Sequence, residues 1–156
     1  MPVDRFEMML EMQRELQLKM PPPNRVPGDL RGDDRATFMV WNTYACTDEL
    51  HEAMAEMGWK PWATSRHFHS EAMLNEMVDA WHFFMNMLLV IAGEQGWNTQ
   101  ELADQFTKRY LIKNSVNVQR QEEGYDGVSS KCPLCKRELI GKPAMCPEHG
   151  PPGGLI

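Results

Sequence analysis

The chain has 156 residues, of which 42% are hydrophobic and 24% are charged, enough for one compact domain with a small appendage. Its net charge of −6 argues against duplex nucleic acid as the main partner, because proteins that neutralise a phosphate backbone are usually basic. The sequence shows no signal-peptide pattern and no apolar run long enough to span a bilayer. We therefore expect an intracellular, cytoplasmic protein that does not bind membranes.

Hydrophobic residues recur at spacings of three and four along most of the chain, which predicts helices. Gly58 and Gly93 are predicted to end the second and third helices, and Asn98 followed by Glu101 predicts a capped start for the fourth. The second half of the third helix is apolar on nearly all sides and is expected to be buried from several directions. The predicted helices cover residues 4–20, 37–57, 70–92 and 98–123.

The predicted fold class is all-α, a helical bundle of about four to five helices, because no strand-like alternation appears. Residues 21–36 are rich in Pro, Gly and Asp and are interpreted as a connecting loop. The bundle is expected to occupy residues 1–125, and residues 126–156 are expected to form a small C-terminal element.

Two acidic doublets are the sharpest feature of the predicted bundle. Residues three apart on a helix share a face, so each doublet directs two carboxylates one way, and antiparallel packing of the two helices would bring all four together. Four converged carboxylates repel one another unless cations neutralise them, and oxygen ligands select Mg²⁺ or Mn²⁺. Each doublet alone is more typical of a solvated helix face, but that interpretation is weakened here because both doublets border strongly apolar residues. The doublets are Glu49 with Glu52 and Glu76 with Asp79.

The fourth predicted helix carries a stripe of cationic and amide side chains, spaced by three and four. Lys and Arg are the side chains best suited to bind phosphate, with a solvated basic face as the alternative interpretation. The stripe consists of Arg109, Lys113, Asn117 and Arg120.

Near the C-terminus, three cysteines and a histidine have the spacing of a tetrahedral Zn²⁺ site, C-x2-C-x10-C-x2-H. A site closed by four protein ligands is structural, not catalytic. Such an element either acts as a folding staple or binds nucleic acid or protein, and the sequence leaves this open. The predicted ligands are Cys132, Cys135, Cys146 and His149.

Together these motifs resemble the all-α NTP pyrophosphohydrolase superfamily, most closely its dimeric dUTPase branch and MazG-like relatives. The resemblance rests on ExxE at 49–52, WKPW at 59–62, ExxD at 76–79, DAWHF at 79–83 and KNSVNVQRQEEGY at 113–125. It implies that the four carboxylates hold Mg²⁺ (or Mn²⁺) and that Glu49 also orients the attacking water. It also implies that the phosphates are contacted by Lys113, Asn117, Arg120 and Tyr125.

The dUTPase branch reads the base with a first-helix pattern like Q-x-x-L-N. Here Gln13 matches that pattern, whereas Gln17 stands in place of Asn. One extra methylene moves the amide by more than a hydrogen bond tolerates, so a base other than uracil stays open. The expected base-pocket residues are Gln13, Gln17, Trp59, Trp62, Phe83 and Asn86.

The resemblance implies an enzyme that hydrolyses a nucleoside triphosphate to its monophosphate and pyrophosphate as a homodimer or higher homo-oligomer. The leading substrate is dUTP, and dCTP, dGTP or a modified deoxynucleotide are the alternatives within this class. The alternative from another class is a zinc-tailed interaction module that binds protein or nucleic acid. That alternative predicts loss of function in Cys132→Ala but not in Glu49→Gln, and the hydrolase predicts the reverse.

Overall fold

The computed structural model describes residues 4–22 and 26–123 and, near the C-terminus, residues 132, 135, 137, 140 and 145–149. Within this part of the chain there is no strand, only two isolated β-bridges, so the all-α prediction is confirmed. None of the described helices is long and apolar enough to cross a membrane. The elements are α1 (Arg5–Gln17), a 3₁₀ turn (Pro27–Asp29), α2 (Gly32–Ala55), α3 (Ser70–Gln95) and α4 (Thr99–Glu123).

The chain divides into two compact units, residues 1–105 and 106–156. The first unit contains α1, the 3₁₀ turn, α2, α3 and the first residues of α4. The second contains the rest of α4 and the cysteine-bearing segment. The boundary predicted between residues 125 and 126 lies outside the described residues and stays a prediction.

Helix α3 is the central element of the first unit, where it packs against α1, α2 and the 3₁₀ turn. Most side chains between Met85 and Ala92 are buried, as expected from the apolar character of this half of the helix, but Ile91 is 42% exposed. Phe38 of α2 and Leu30 pack with Val90 of α3. Leu10 of α1 is fully buried. The buried residues of this half of α3 are Met85, Asn86, Leu88, Leu89, Val90 and Ala92.

Helices α2 and α3 run antiparallel, joined by a tightly hydrogen-bonded connector. The Gly58 N–H donates to the carbonyl of His67 at 2.9 Å, and the His69 N–H donates to the carbonyl of Glu56 at 2.9 Å. Within the connector the Arg66 guanidinium donates to the carbonyls of Lys60, Pro61, Ala63 and Ser65. This bonding stabilises the turn from α2 into α3, the two helices that carry the acidic doublets.

The prediction that Gly93 ends α3 is wrong, because the helix continues to Gln95 and ends at Gly96, whose φ of 69° is left-handed. Gly93 instead allows α3 to touch the 3₁₀ turn. A Cβ at Gly93 would lie 2.1 Å from the carbonyl oxygen of Gly28, so neither backbone could hold its position. The glycine therefore serves a close backbone approach, a role that a local sequence pattern does not reveal.

The predicted start of α2 is also wrong, since the helix begins at Gly32, within the segment interpreted as a loop. Asp33 and Asp34 occupy its first turn, where carboxylates are stabilised by the positive end of the helix dipole. The predicted cap of α4 is confirmed. Asn98 Oδ1 accepts from the Glu101 N–H at 2.8 Å, and Glu101 Oε2 accepts from the Asn98 N–H at 2.9 Å.

Candidate active site

Three carboxylates from α2 and α3 converge in the first unit. Oxygen atoms of Glu49, Glu76 and Asp79 all lie within 4.8 Å of one another. Glu76 and Asp79 share a face because they are one turn apart on α3, and antiparallel packing brings Glu49 of α2 opposite them. Glu52, the fourth predicted member, is exposed and is not part of this tight group.

The cluster concentrates negative charge. Partial burial, followed by the neighbouring carboxylates of Glu52, Asp79 and Glu76, raises the pKa of Glu49 above its usual range. Glu52 therefore acts on the cluster electrostatically although it stands outside the tight group. The ion pairs seen within residues 4–22 and 26–105 involve other acidic residues, Glu11, Glu56 and Glu94.

About two helical turns from the carboxylates, roughly 10 Å along the helix axes, the same two helices border a cavity of about 530 Å³. Asn42 precedes Glu49 by this distance on α2, and Asn86 follows Asp79 by the same distance on α3. The walls combine aromatic rings with side-chain amides, as ligand pockets usually do. The lining residues are Gln17, Met20, Pro21, Thr37, Phe38, Trp41, Asn42, Phe83 and Asn86.

A chain of hydrogen-bonded amides backs this cavity. Asn42 Nδ2 donates to the carbonyl of Phe38 at 2.8 Å, and Asn86 Nδ2 donates to Asn42 Oδ1 at 2.8 Å. Gln13 Nε2 then donates to Asn86 Oδ1 at 2.7 Å. Gln13 Oε1 lies 2.6 Å from Nδ1 of His82. The chain links α1, α2 and α3 through groups that are largely buried.

The direction of this chain is determined at its carbonyl end. The Phe38 carbonyl can only accept, so Asn42 must present Nδ2 to it and Oδ1 to Asn86. The same reasoning orients Asn86 and then Gln13, whose Oε1 therefore faces His82. Because that oxygen only accepts, His82 must carry a proton on Nδ1. Each amide is thus held in one orientation beside the cavity.

Gln17 differs from the other amides because its side chain makes no hydrogen bond with the residues that the structure describes, although it is only 6% exposed and lines the cavity. No buried polar side-chain atom of the described residues lacks a partner, so the Gln17 amide is accessible from the cavity that it lines. Gln17 is therefore suited to bind a ligand that supplies both a donor and an acceptor.

The expected base-pocket residues are only partly brought together. Gln17, Phe83 and Asn86 line the cavity, and Gln13 supports Asn86 from behind. Trp59 and Trp62 do not line it, because both lie in the connector beyond the end of α2. Their rings contact each other edge to face with centroids 6.5 Å apart, and Trp62 is 77% exposed.

Asn42 and Trp41 line the cavity but were missed in the sequence. The signal in the sequence was the position of Asn42. It lies as many residues before Glu49 as Asn86 lies after Asp79, and its side chain is buried in α2. An isolated asparagine in a helix does not reveal burial without knowledge of the face that packs.

The predicted phosphate-binding residues Lys113, Asn117 and Arg120 lie on α4 within the second unit, and Arg109 precedes them on the same helix. Tyr125 lies outside the described residues. Phosphate binding by these residues on α4 and by Tyr125 stays a prediction. The second unit also holds the four predicted zinc ligands, whose donor atoms form one group.

The fold and the site define an all-α protein with a carboxylate cluster and an amide-lined cavity on one pair of helices. A family model described as dUTPase matches residues 5–104, which include both features. The chain therefore belongs to the dUTPase family, and it is a nucleoside triphosphate pyrophosphohydrolase, as the sequence predicted. The match ends before the late motif at 113–125.

Two curated relatives carry the name dCTP pyrophosphatase. The protein from Enterobacteria phage LZ5 is 28% identical over 152 residues, covering 79% of this chain and 84% of the relative. The protein from Enterobacteria phage T4 is 27% identical over 150 residues, covering 78% and 83%. No solved structure matches the chain.

Proposed function

We propose that this enzyme hydrolyses a pyrimidine deoxynucleoside triphosphate, dCTP before dUTP, to the monophosphate and pyrophosphate with Mg²⁺. The observation that carries the proposal is the pairing of the carboxylate cluster with an amide-lined cavity on the same two helices. Their separation of roughly 10 Å suits a nucleotide with its base in the cavity and its phosphates at the carboxylates.

The donor set fits a hard divalent cation. Glu49, Glu76 and Asp79 offer oxygen atoms within 4.8 Å of one another, and partial burial and mutual repulsion already raise the pKa of Glu49. Mg²⁺ is bound by carboxylates together with substrate phosphates, and when bound it neutralises charge on the phosphoanhydride and helps orient water. Glu49, whose pKa is raised by partial burial and by the neighbouring carboxylates, is the candidate to accept the proton of the attacking water.

The cavity supports recognition of a base. Its volume of about 530 Å³ falls within the range of roughly 300–1,000 Å³ found for small-molecule sites. Trp41, Phe38 and Phe83 supply flat apolar surface for a ring, and Gln17 supplies an unpaired donor and acceptor. Water leaves the cavity when the base enters, so a polar edge must then be matched by the protein.

The geometry of the cavity is compatible with either pyrimidine base, so the choice between cytosine and uracil rests on other observations. An amide at position 17 can pair with cytosine, which presents a donor beside an acceptor, or with uracil, which presents the reverse order. The sequence favoured dUTP, but Gln17 departs from the family's asparagine, and both phage relatives are named for dCTP. These two observations support dCTP as the first substrate and dUTP as the second.

The expected homodimer stays a proposal. Trp41 and Tyr44 of α2 are 72% and 73% exposed, and Leu74, Met77 and Val78 of α3 are also exposed. Exposed apolar and aromatic side chains on neighbouring helices are a feature of surfaces that another subunit covers.

A substrate panel with Mg²⁺, scored by pyrophosphate release, tests the proposal. We expect the highest kcat/KM for dCTP and a lower value for dUTP. Purine deoxynucleotides should give values at least about tenfold lower, because a base whose donors and acceptors do not match leaves the Gln17 amide without hydrogen-bond partners. Glu49→Gln should lose about 100-fold or more in kcat. The matched control Glu15→Gln alters an exposed carboxylate of α1 and should retain activity.

Different results would refute the hydrolytic carboxylate site and the base-binding cavity. Absence of turnover for every triphosphate would refute the hydrolytic site. Gln17→Leu tests the cavity, because it keeps the carboxylates and removes the amide. We expect it to raise the KM for dCTP about tenfold, which corresponds to about 1.4 kcal/mol. An unchanged KM would exclude base binding in this cavity while leaving hydrolysis intact.

A further inference from the structure

A cluster of soft donor atoms lies in the second unit, apart in chemistry from the carboxylates. Three cysteines and one histidine place their donor atoms within 4.8 Å of one another. Cys132 and Cys146 are only 2% and 3% exposed. All three thiols are free of disulfides. The four residues are Cys132, Cys135, Cys146 and His149.

The separations match the edges of a zinc tetrahedron. Zn–S bonds of about 2.3 Å and Zn–N bonds of about 2.0–2.1 Å give edges of roughly 3.8 Å between sulfurs and 3.5 Å between sulfur and nitrogen. Cys135 Sγ lies 3.6 Å from Cys146 Sγ, and His149 Nδ1 lies 3.5 Å from the sulfurs of both Cys132 and Cys146. A disulfide requires sulfurs about 2.05 Å apart, so these spacings are those of ligands around one ion.

The local backbone brings the two ligand pairs together. Ile140 and Met145, which lie between the two pairs in the sequence, exchange two backbone hydrogen bonds of 2.8 and 3.0 Å and so lie side by side. The Cys132 N–H donates to the carbonyl of Arg137 at 2.8 Å, and the Arg137 guanidinium contacts the Glu148 carboxylate across the turn. Backbone and side chains thus aim both pairs at one point.

We propose that Cys132, Cys135, Cys146 and the Nδ1 atom of His149 bind one structural Zn²⁺. Thiolate and imidazole ligands select zinc over Mg²⁺, whereas the carboxylates of the first unit select the opposite. Four protein ligands complete the tetrahedron and leave no open position, so this ion does not take part in hydrolysis. Its binding free energy stabilises the fold of this segment.

Metal analysis of the full chain, purified under reducing conditions and dialysed against excess Mg²⁺, tests the inference. We expect about one zinc per chain, because Mg²⁺ does not displace zinc from thiolates. Cys132→Ser and Cys146→Ser should each lose fivefold or more of the bound zinc. The matched control is Cys46→Ser, which alters the remaining cysteine, on α2, and should keep the full zinc content.

Cobalt substitution supplies a measurement on the wild-type chain that does not depend on a variant folding. Tetrahedral Co²⁺ bound by three thiolates should give intense thiolate-to-metal absorption, which Zn²⁺ should abolish by displacement. Helical content from circular dichroism confirms that the serine variants remain folded. Substoichiometric zinc in wild-type protein even after incubation with Zn²⁺, or full retention by Cys132→Ser, would overturn the proposal.

Discussion

Replacing Asn86 with leucine should destabilise the protein far more than one lost side-chain contact suggests. The substitution removes an acceptor from Gln13 and a donor from Asn42, so Gln13 Nε2 and Asn42 Oδ1 lose their partners. Each buried unpaired group costs about 1–3 kcal/mol. Asn42 borders the cavity and regains some hydration, so we expect a total loss of roughly 2–3 kcal/mol in the free energy of unfolding.

A double-mutant cycle with Gln13→Met isolates the interaction. That variant alone strands Asn86 Oδ1 and the Nδ1 proton of His82. The two single variants together leave four polar groups without hydrogen-bond partners. In the double variant two of these groups, Gln13 Nε2 and Asn86 Oδ1, are absent. The double variant should therefore cost roughly 1–3 kcal/mol less than the sum of the single variants.

Urea unfolding at one fixed protein concentration, extrapolated linearly to water, measures these free energies. The matched control is Asn75→Leu, an exposed asparagine of the same helix, which should change stability by no more than about 0.5 kcal/mol. Additivity of the two substitutions to within about 0.5 kcal/mol would refute the directional amide chain.

Two further predictions concern packing and charge. Gly93→Ala should lower the free energy of unfolding by about 1–3 kcal/mol, because its Cβ would lie 2.1 Å from the Gly28 carbonyl oxygen. Urea unfolding measures this loss, and unchanged stability would mean that α3 and the 3₁₀ turn are not in contact. Glu49→Gln should raise the melting temperature in chelator at neutral pH. The raised pKa of Glu49 means that the folded state holds this proton more tightly than the unfolded chain, so the ionised carboxylate destabilises the metal-free fold. That penalty disappears as pH falls through the raised pKa, so the difference between variant and wild type should shrink on acidification; a difference that grows on acidification would contradict this sign.

The sequence by itself determined the features that depend on local spacing. Helical periodicity predicted four α-helices, and Asn98 with Glu101 predicted a cap, because both depend on residues three or four positions apart. The same spacing placed Glu76 beside Asp79 on one face of α3. The cysteine and histidine spacing predicted a group of four ligands for the same reason, since short covalent separations limit where the donor atoms can lie.

Only the tertiary structure decided which faces meet. The register of α2 against α3 brings Glu49 to Glu76 and Asp79 and leaves Glu52 outside, a difference that helix geometry alone does not specify. The same register joins Asn42 to Asn86 and leaves Trp59 outside the cavity. These outcomes depend on contacts between residues far apart in the chain, and such contacts follow from how whole helix surfaces pack.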